Sequence, residues 1–483
     1  MTAPPLATPL RVALGLGLLV LLGLLVVAVA RALSGRRPGN ALWCPTDVAF
    51  AWVAGPAVAV PLVFFAALTG LPLRGRWLAL FLGLIVAVTA VGLLLVVRRA
   101  ALQGGVRGAT TTGMPAVAAP PPGRFTWMGR LTLGGALALS LGKIAVVPVW
   151  SWDHFAIWGI KARLFAAAGN LDPALVARFE LVPTVPHYPL GVPLVWVATT
   201  LGALPAGGVV RLFHAGWLLA LVVLVHQTAR QLSADRWVAL AAAAFVAVSP
   251  LAWDSVHLGL ADLPLALYAV AAVAAAAPAV GGLAAGAGGW ALAGLFVGFL
   301  PWVKNEGGSL AMLLALVLAT WRWGGEPAGR RREILAFATP AVLVGAAAVA
   351  TGHFVLPRGV SFFDGYLRER LLHRLANPGE VFGPVAEELT RWHWWGAWVG
   401  LVVVVVTAVV GRRGLALGLA AVVTAQLALY TGVFFASYLP PVDHVATALP
   451  RIAAALVPLV ALAAAAVAAP GPPGATFARR IRS

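Results

Sequence analysis

Five short stretches of this chain carry residues that could do chemistry. The first reads Trp150-Ser-Trp-Asp-His-Phe-Ala-Ile-Trp-Gly-Ile-Lys-Ala-Arg163. A carboxylate at Asp153 could take a proton or hold a cation, and Lys161 could hold a phosphate as a point charge. The plainer alternative is a solvated acid paired with Lys161. In Pro186-His-Tyr-Pro-Leu-Gly-Val-Pro193, a proline-pinned turn, His187 could be a metal or phosphate ligand or an ordinary cap. Trp253-Asp-Ser-Val-His-Leu-Gly-Leu-Ala-Asp-Leu-Pro264 sets Asp254, His257 and Asp262 in one short hairpin. Oxygen ligands with an imidazole suit Mn, Zn or Mg, whereas helix capping would use the same acids without a metal. Lys304-Asn-Glu-Gly-Gly308 interrupts two apolar runs, and Lys304 could pair with Glu306 or meet a phosphate. Finally, Asp443-His-Val-Ala-Thr-Ala-Leu-Pro-Arg451 opens a last apolar run, where Arg451 needs an anionic partner.

The elements that must position these residues are membrane helices. Of 483 residues, 61% are hydrophobic and only 10% charged, where a soluble domain carries roughly 25% charged residues. Apolar runs of near-spanning length predict thirteen transmembrane helices, at 9–30, 47–70, 76–97, 128–149, 208–230, 237–253, 262–280, 286–303, 308–323, 334–352, 394–410, 414–437 and 451–469. The short, Pro-flanked stretch Leu190–Leu204 is expected to lie on or dip into the outer interface. One cysteine, Cys44, excludes an internal disulfide or a cysteine metal cluster. P-loop, dinucleotide-binding, serine-elbow and zincin signatures are absent.

Charge sets the expected orientation. With Leu190–Leu204 not spanning, one set of loops holds nineteen of the 34 basic residues and only four of the 16 acids. Lys and Arg stay on the cytoplasmic side, so the N-terminus is expected outside and the C-terminus inside. Anionic lipid headgroups account for the +18 net charge, and no nucleic-acid partner is expected. The two long loops, 150–207 and 353–393, then face outward with nearly all the acids and histidines. Asp364, Arg368, Glu369, Arg370, His373 and Arg374 in the second loop read as a solvated helix face.

The order of these motifs resembles the GT-C glycosyltransferases, polytopic enzymes that use polyprenyl-phosphate-linked sugars. Asp153 takes the place of the acid in the first large outward loop, and Asp262 that of the acid in the next outward turn. The combination Trp152-Asp-x₃-Ile-Trp-x₂-Lys161-Ala, Tyr188-Pro-Leu, Ala-Asp262-Leu-Pro-Leu and Lys304-Asn-Glu-Gly307 is similar to a bacterial family-39-like subgroup, also described as dolichyl-phosphate-mannose-protein-mannosyltransferase-like. His444-x₂-Thr447-x₃-Arg451 also resembles that subgroup's entry to the last span. The resemblance runs from about Gly129 to Val467. It leaves 1–127 as a three-span extension with a Gly/Pro-rich linker, 128–470 as the catalytic core and 471–483 as a basic tail. One departure is that His154 follows Asp153 where an adjacent acid pair would stand.

The resemblance implies an enzyme of a bacterial inner membrane that transfers a sugar from a polyprenyl-phosphate donor to an unidentified acceptor, inverting the anomeric centre. Asp153 would be the general base, with Asp262 the second catalytic acid, and Lys161, Lys304 and Arg451 would neutralise the departing phosphate. His154, His187, Tyr188, Glu306 and His444 are candidate substrate contacts. A divalent metal held by Asp262 with Asp254, His257 or His187 is compatible with the pattern but not required by it. A transporter or flippase is the alternative, disfavoured by the lack of an internal repeat and by ionisable residues at the rim rather than mid-span.

Overall fold

The computed structural model describes residues 7–34, 44–104, 124–148, 151–172, 175, 185, 187–204, 207–233, 235–255, 258–277, 286–323, 329–356, 366–411 and 414–468. Among them there is no strand, as expected for a chain whose backbone polar groups must be satisfied within each segment in lipid. The expected linker and basic tail, His257 and Asp364 lie outside the described residues.

Seventeen α-helices are used below: α1 (Ala7–Leu33), α2 (Pro45–Leu68), α3 (Gly75–Gly104), α4 (Arg124–Val146), α5 (Ile160–Ala168), α6 (Gly191–Thr199), α7 (Gly207–Ser233), α8 (Arg236–Ala247), α9 (Asp262–Ala276), α10 (Ala287–Val303), α11 (Glu306–Trp323), α12 (Arg330–Ala350), α13 (Leu367–Ala376), α14 (Gly379–Leu389), α15 (Trp395–Gly411), α16 (Gly414–Ala436) and α17 (Pro441–Val467). Seven described helices are long and apolar enough to cross a membrane: Thr8–Leu33, Pro45–Leu68, Gly75–Arg99, Val210–Ser233, Arg330–Val355, Gly414–Ala436 and Pro441–Val467. Shorter apolar helices, including Asp262–Ala276 and Ala287–Val303, occupy other expected positions. The division follows exposure. Long α1, α3 and α12 show most of their surface outward, so their own length must match a bilayer. Every residue of α9 is buried, and nearly all of α10, so neighbouring protein satisfies what lipid would not.

Contacts sort the helix ends into two groups. At one end Arg31 pairs with Asp47 at 2.5 Å, joining the C-terminus of α1 to the first turn of α2. Arg322 and Glu333 join α11 to α12 there in the same way. At the other end the backbone N–H of Leu73 donates to the Gly169 carbonyl at 2.8 Å, and Gly75 donates to Leu201 at 2.8 Å. The Arg74 guanidinium caps α5 by donating to the carbonyls of Ala167 (3.0 Å) and Ala168 (2.8 Å), where a cation offsets the helix dipole.

The first three helices are not set apart from the rest. A side chain at Gly23 would fall 1.9 Å from the Ala51 carbonyl and one at Gly55 2.0 Å from that of Leu19, so α1 and α2 meet backbone to backbone through small residues. The Tyr268 hydroxyl on α9 donates to the Val53 carbonyl of α2 at 3.1 Å. In the stretch Leu190–Leu204, expected to lie on or dip into the outer interface, every residue of α6 (Gly191–Thr199) is buried against the rest of the protein. At about 14 Å it is too short to span; its C-terminal flank meets Leu73 and Gly75, and its N-terminus abuts Trp302 of α10.

Arg374 corrects the solvated reading of the second long loop. It is 6% exposed, and its guanidinium donates to the carbonyls of Phe434 (2.7 Å), Phe435 (3.3 Å), Ser437 (2.6 Å) and Leu439 (2.9 Å). These are the orphan carbonyls at the C-terminus of α16 and just beyond it, so one side chain fixes the turn that leads into α17 and Arg451. Arg374→Met should destabilise the protein by about 3 kcal/mol, because buried carbonyls lose charged donors. Thermal unfolding in detergent checks this, with exposed Arg368→Met expected within about 0.5 kcal/mol of the parent.

Candidate active site at one end of the bundle

Three single-turn π-helices occur among the described residues, at Asp153–Gly159, Leu251–Ser255 and Thr351–Val355. Wide turns of this kind recur where a helix must re-aim a side chain. The first begins at Asp153. It is held because the Ser151 hydroxyl donates to the Leu258 carbonyl at 2.7 Å while accepting the His154 backbone N–H at 3.0 Å. This places Asp153 against α17, where Arg451 donates to its carboxylate. Arg451 is fixed from its own helix as well, with Nε donating to the Thr447 carbonyl at 2.8 Å.

A second ion pair lies beside the first. The Lys304 ammonium is 3.0 Å from Asp262 Oδ1 and 3.3 Å from Glu306 Oε1, with Lys304 5% and Asp262 1% exposed. Burial alone would pull the Lys304 ammonium down, but Asp262 and Glu306 hold it above the usual lysine range. Arg451 interacts electrostatically with Asp262, Asp153 and Glu306 alike, so the two pairs form one network of three carboxylates and two cations. Tyr188 completes it. Burial, then Glu306, pushes its phenol above the usual range, so the hydroxyl stays protonated. Asp262 Oδ2 and Glu306 Oε2 are buried without a hydrogen-bond partner among the described residues, leaving acceptor capacity turned into this network.

Several expected site residues do other work. Lys161 is fully buried, and its ammonium donates to the carbonyls of Val185 (2.9 Å) and Tyr188 (3.1 Å). Burial pulls it down to about 7. It pins the turn that carries His187 and Tyr188 instead of pairing with Asp153 or meeting a phosphate. His154 is 3% exposed with its ring against Phe155 and Trp196, so it packs the interior and is not open to a substrate. Burial drives its imidazole down to about 3, keeping it neutral. His444 lies edge-on to Phe434 with ring centroids 5.0 Å apart. His187 lines a separate cavity described below.

Of the expected metal ligands, Asp254 and Asp262 each face a different lysine, and His257 lies outside the described residues. Asp254 is half exposed and faces Lys143 at 3.7 Å, whose ammonium also lies 4.2 Å over the Trp253 ring. Asp262 gives its Oδ1 to Lys304. Among the described residues no three His, Cys, Asp or Glu side chains are placed to hold a metal ion. The residues present do not form such a cage, and no chemical step below runs through one.

Two positioning residues escaped the sequence reading. Gln426 of α16 donates to the Glu306 carbonyl (3.3 Å) and the Ser309 hydroxyl (3.0 Å), anchoring the turn that bears Lys304. The ring of His214 on α7 sits between the carbonyls of Val210 (3.0 Å) and Leu260 (3.2 Å), with its single N–H donating to one of them, beside the segment that enters α9 at Asp262. Each is a polar residue flanked by apolar ones within a membrane helix, a signal of a specific partner. No protein-family model, curated protein or solved structure matches this chain.

Proposed function

We propose that this protein is a membrane glycosyltransferase that moves a sugar from a polyprenyl-phosphate donor to an acceptor hydroxyl at the Asp153 end of the bundle. The observation that carries the reading is the meeting of Asp153 with Arg451, 298 residues apart, next to the buried Asp262–Lys304–Glu306 group. Two cations at one site are what a departing lipid phosphate requires, and a carboxylate beside them is what an attacking hydroxyl requires. In the resting arrangement Arg451 neutralises Asp153. A donor phosphate would compete for that guanidinium and free the carboxylate as base. The acceptor oxygen then bonds to the anomeric carbon, its proton passes to Asp153, and the carbon–oxygen bond to phosphate breaks with its electron pair leaving on the polyprenyl phosphate. One displacement inverts the anomeric centre.

In this reading the seven long helices, the five shorter apolar ones and α11 are the thirteen spans, with the N-terminus and the Asp153 end outside. Cysteines test this, after Cys44 is replaced by serine. Gly379→Cys should react with an impermeant thiol reagent in intact cells and Arg331→Cys should not; the reverse pattern would place the site on the cytoplasmic face. The activity itself is tested by incubating purified protein with radiolabelled polyprenyl-phosphate sugars and envelope extract. Label should leave the lipid for a product of the opposite anomeric configuration.

A further inference from the structure

A cavity of about 170 Å³ lies beside the ion network, between the Lys304–Gly308 turn, the outer end of α12 and the turn that Lys161 pins. Its walls include Leu190, Trp302 and Val349, with His187, Asn305 and Thr351 as its polar groups. None of the side chains lining it carries a formal charge, although Lys304 and Glu306 flank Asn305 directly in the chain. His187, which lines it, has its Nδ1 buried without a hydrogen-bond partner among the described residues. Burial and the nearby Lys161 lower its imidazole, so the ring is neutral and can accept or donate one bond. A cavity of about 150 Å³ accommodates a single six-membered ring. The space therefore suits one ring with apolar faces and a few hydroxyls.

We infer that this cavity is a monosaccharide subsite selective for an uncharged sugar over amino sugars and uronic acids. Selectivity follows from desolvation. An ammonium or carboxylate entering an uncharged, half-enclosed cavity loses hydration that no opposite charge replaces, whereas a hydroxyl finds His187 and Asn305. The inference deepens the proposed function, since it would fix the class of sugar transferred, but its test does not depend on transfer.

Gly308 and Gly352 both line the cavity, and a Cβ at either meets no atom within 4 Å, so each accepts a cysteine without a clash. In a Cys44→Ser background, purified Gly308→Cys and Gly352→Cys are labelled with an impermeant thiol reagent in the presence of glucose, glucosamine or glucuronate. Gly379→Cys, which also projects into open space, serves as the reference. Glucose should slow labelling of both cavity cysteines, about fivefold at roughly four times its dissociation constant. Glucosamine and glucuronate should leave it within about twofold at the same concentration, given the weaker occupancy of a charged ring. Glucose protection without transfer of any lipid-linked sugar would uphold the subsite and overturn only the transferase reading. Unchanged labelling in glucose at both cysteines, or equal protection by the charged sugars, would overturn the subsite.

Discussion

Asp153→Asn should lower sugar transfer by about 10²–10⁴-fold, the usual loss when a general base is removed. The substitution keeps the shape and the contact with Arg451 but leaves no group to accept the hydroxyl proton. Asp153 qualifies on geometry because its carboxylate is partly exposed, whereas Asp262 is sealed beneath Lys304. The variant should insert in the membrane and unfold near the parental temperature, since the side chains of the pair it weakens are both partly exposed. Glu387→Gln, at an exposed position on α14, should transfer at the parental rate. Initial rates of label transfer, read beside thermal unfolding, make the check. A parental rate in Asp153→Asn would remove the base assignment.

Lys304→Met should destabilise the protein by about 3–5 kcal/mol, because it leaves Asp262 buried without its counter-ion. Glu306, the second carboxylate on Lys304, loses the same partner. The second substitution Asp262→Leu in that background should restore most of the lost stability, since a buried pair replaced by apolar groups is often neutral. Neither variant should transfer sugar, as both lack the lysine charge beside Arg451. Thermal unfolding separates the two results. A Lys304→Met protein as stable as the parent would mean that Asp262 has another partner.

The sequence carried the membrane class plainly, because apolar runs and the Arg-rich loops follow from the physics of the bilayer alone. It also pointed to the right partners for Lys304 and Arg451 in kind, since a cation in an apolar run must meet an anion. Of those anions only Glu306, two residues from Lys304, was legible; Asp262 and Asp153 were not. Asp153 and Arg451 lie 298 residues apart, and only the packing of the π-turn against α17 brings them together. Spacing suggested Lys161 as the partner of Asp153, yet the wide π-turn between them re-aims the lysine toward Val185 and Tyr188. Arg374 looked solvated because its helix is amphipathic and lies in a long loop. Its partners are backbone carbonyls, which no side-chain pattern announces. The expected bounds of α9 and α10, 262–280 and 286–303, lie within a few residues of those observed, because hydropathy measures apolarity, which burial in protein satisfies as well as lipid does.

One measurement separates transfer from transport most directly. Purified protein is reconstituted in vesicles containing a polyprenyl-phosphate sugar labelled in both the lipid and the sugar, with an acceptor-containing envelope extract outside. The account predicts that free polyprenyl phosphate appears and that sugar label moves to a water-soluble or newly glycosylated product, in proportion to active protein and not with Asp153→Asn. Intact donor lipid that crosses from one leaflet to the other with both labels still joined would contradict it, and would make the Asp262–Lys304 pair part of a transport pathway.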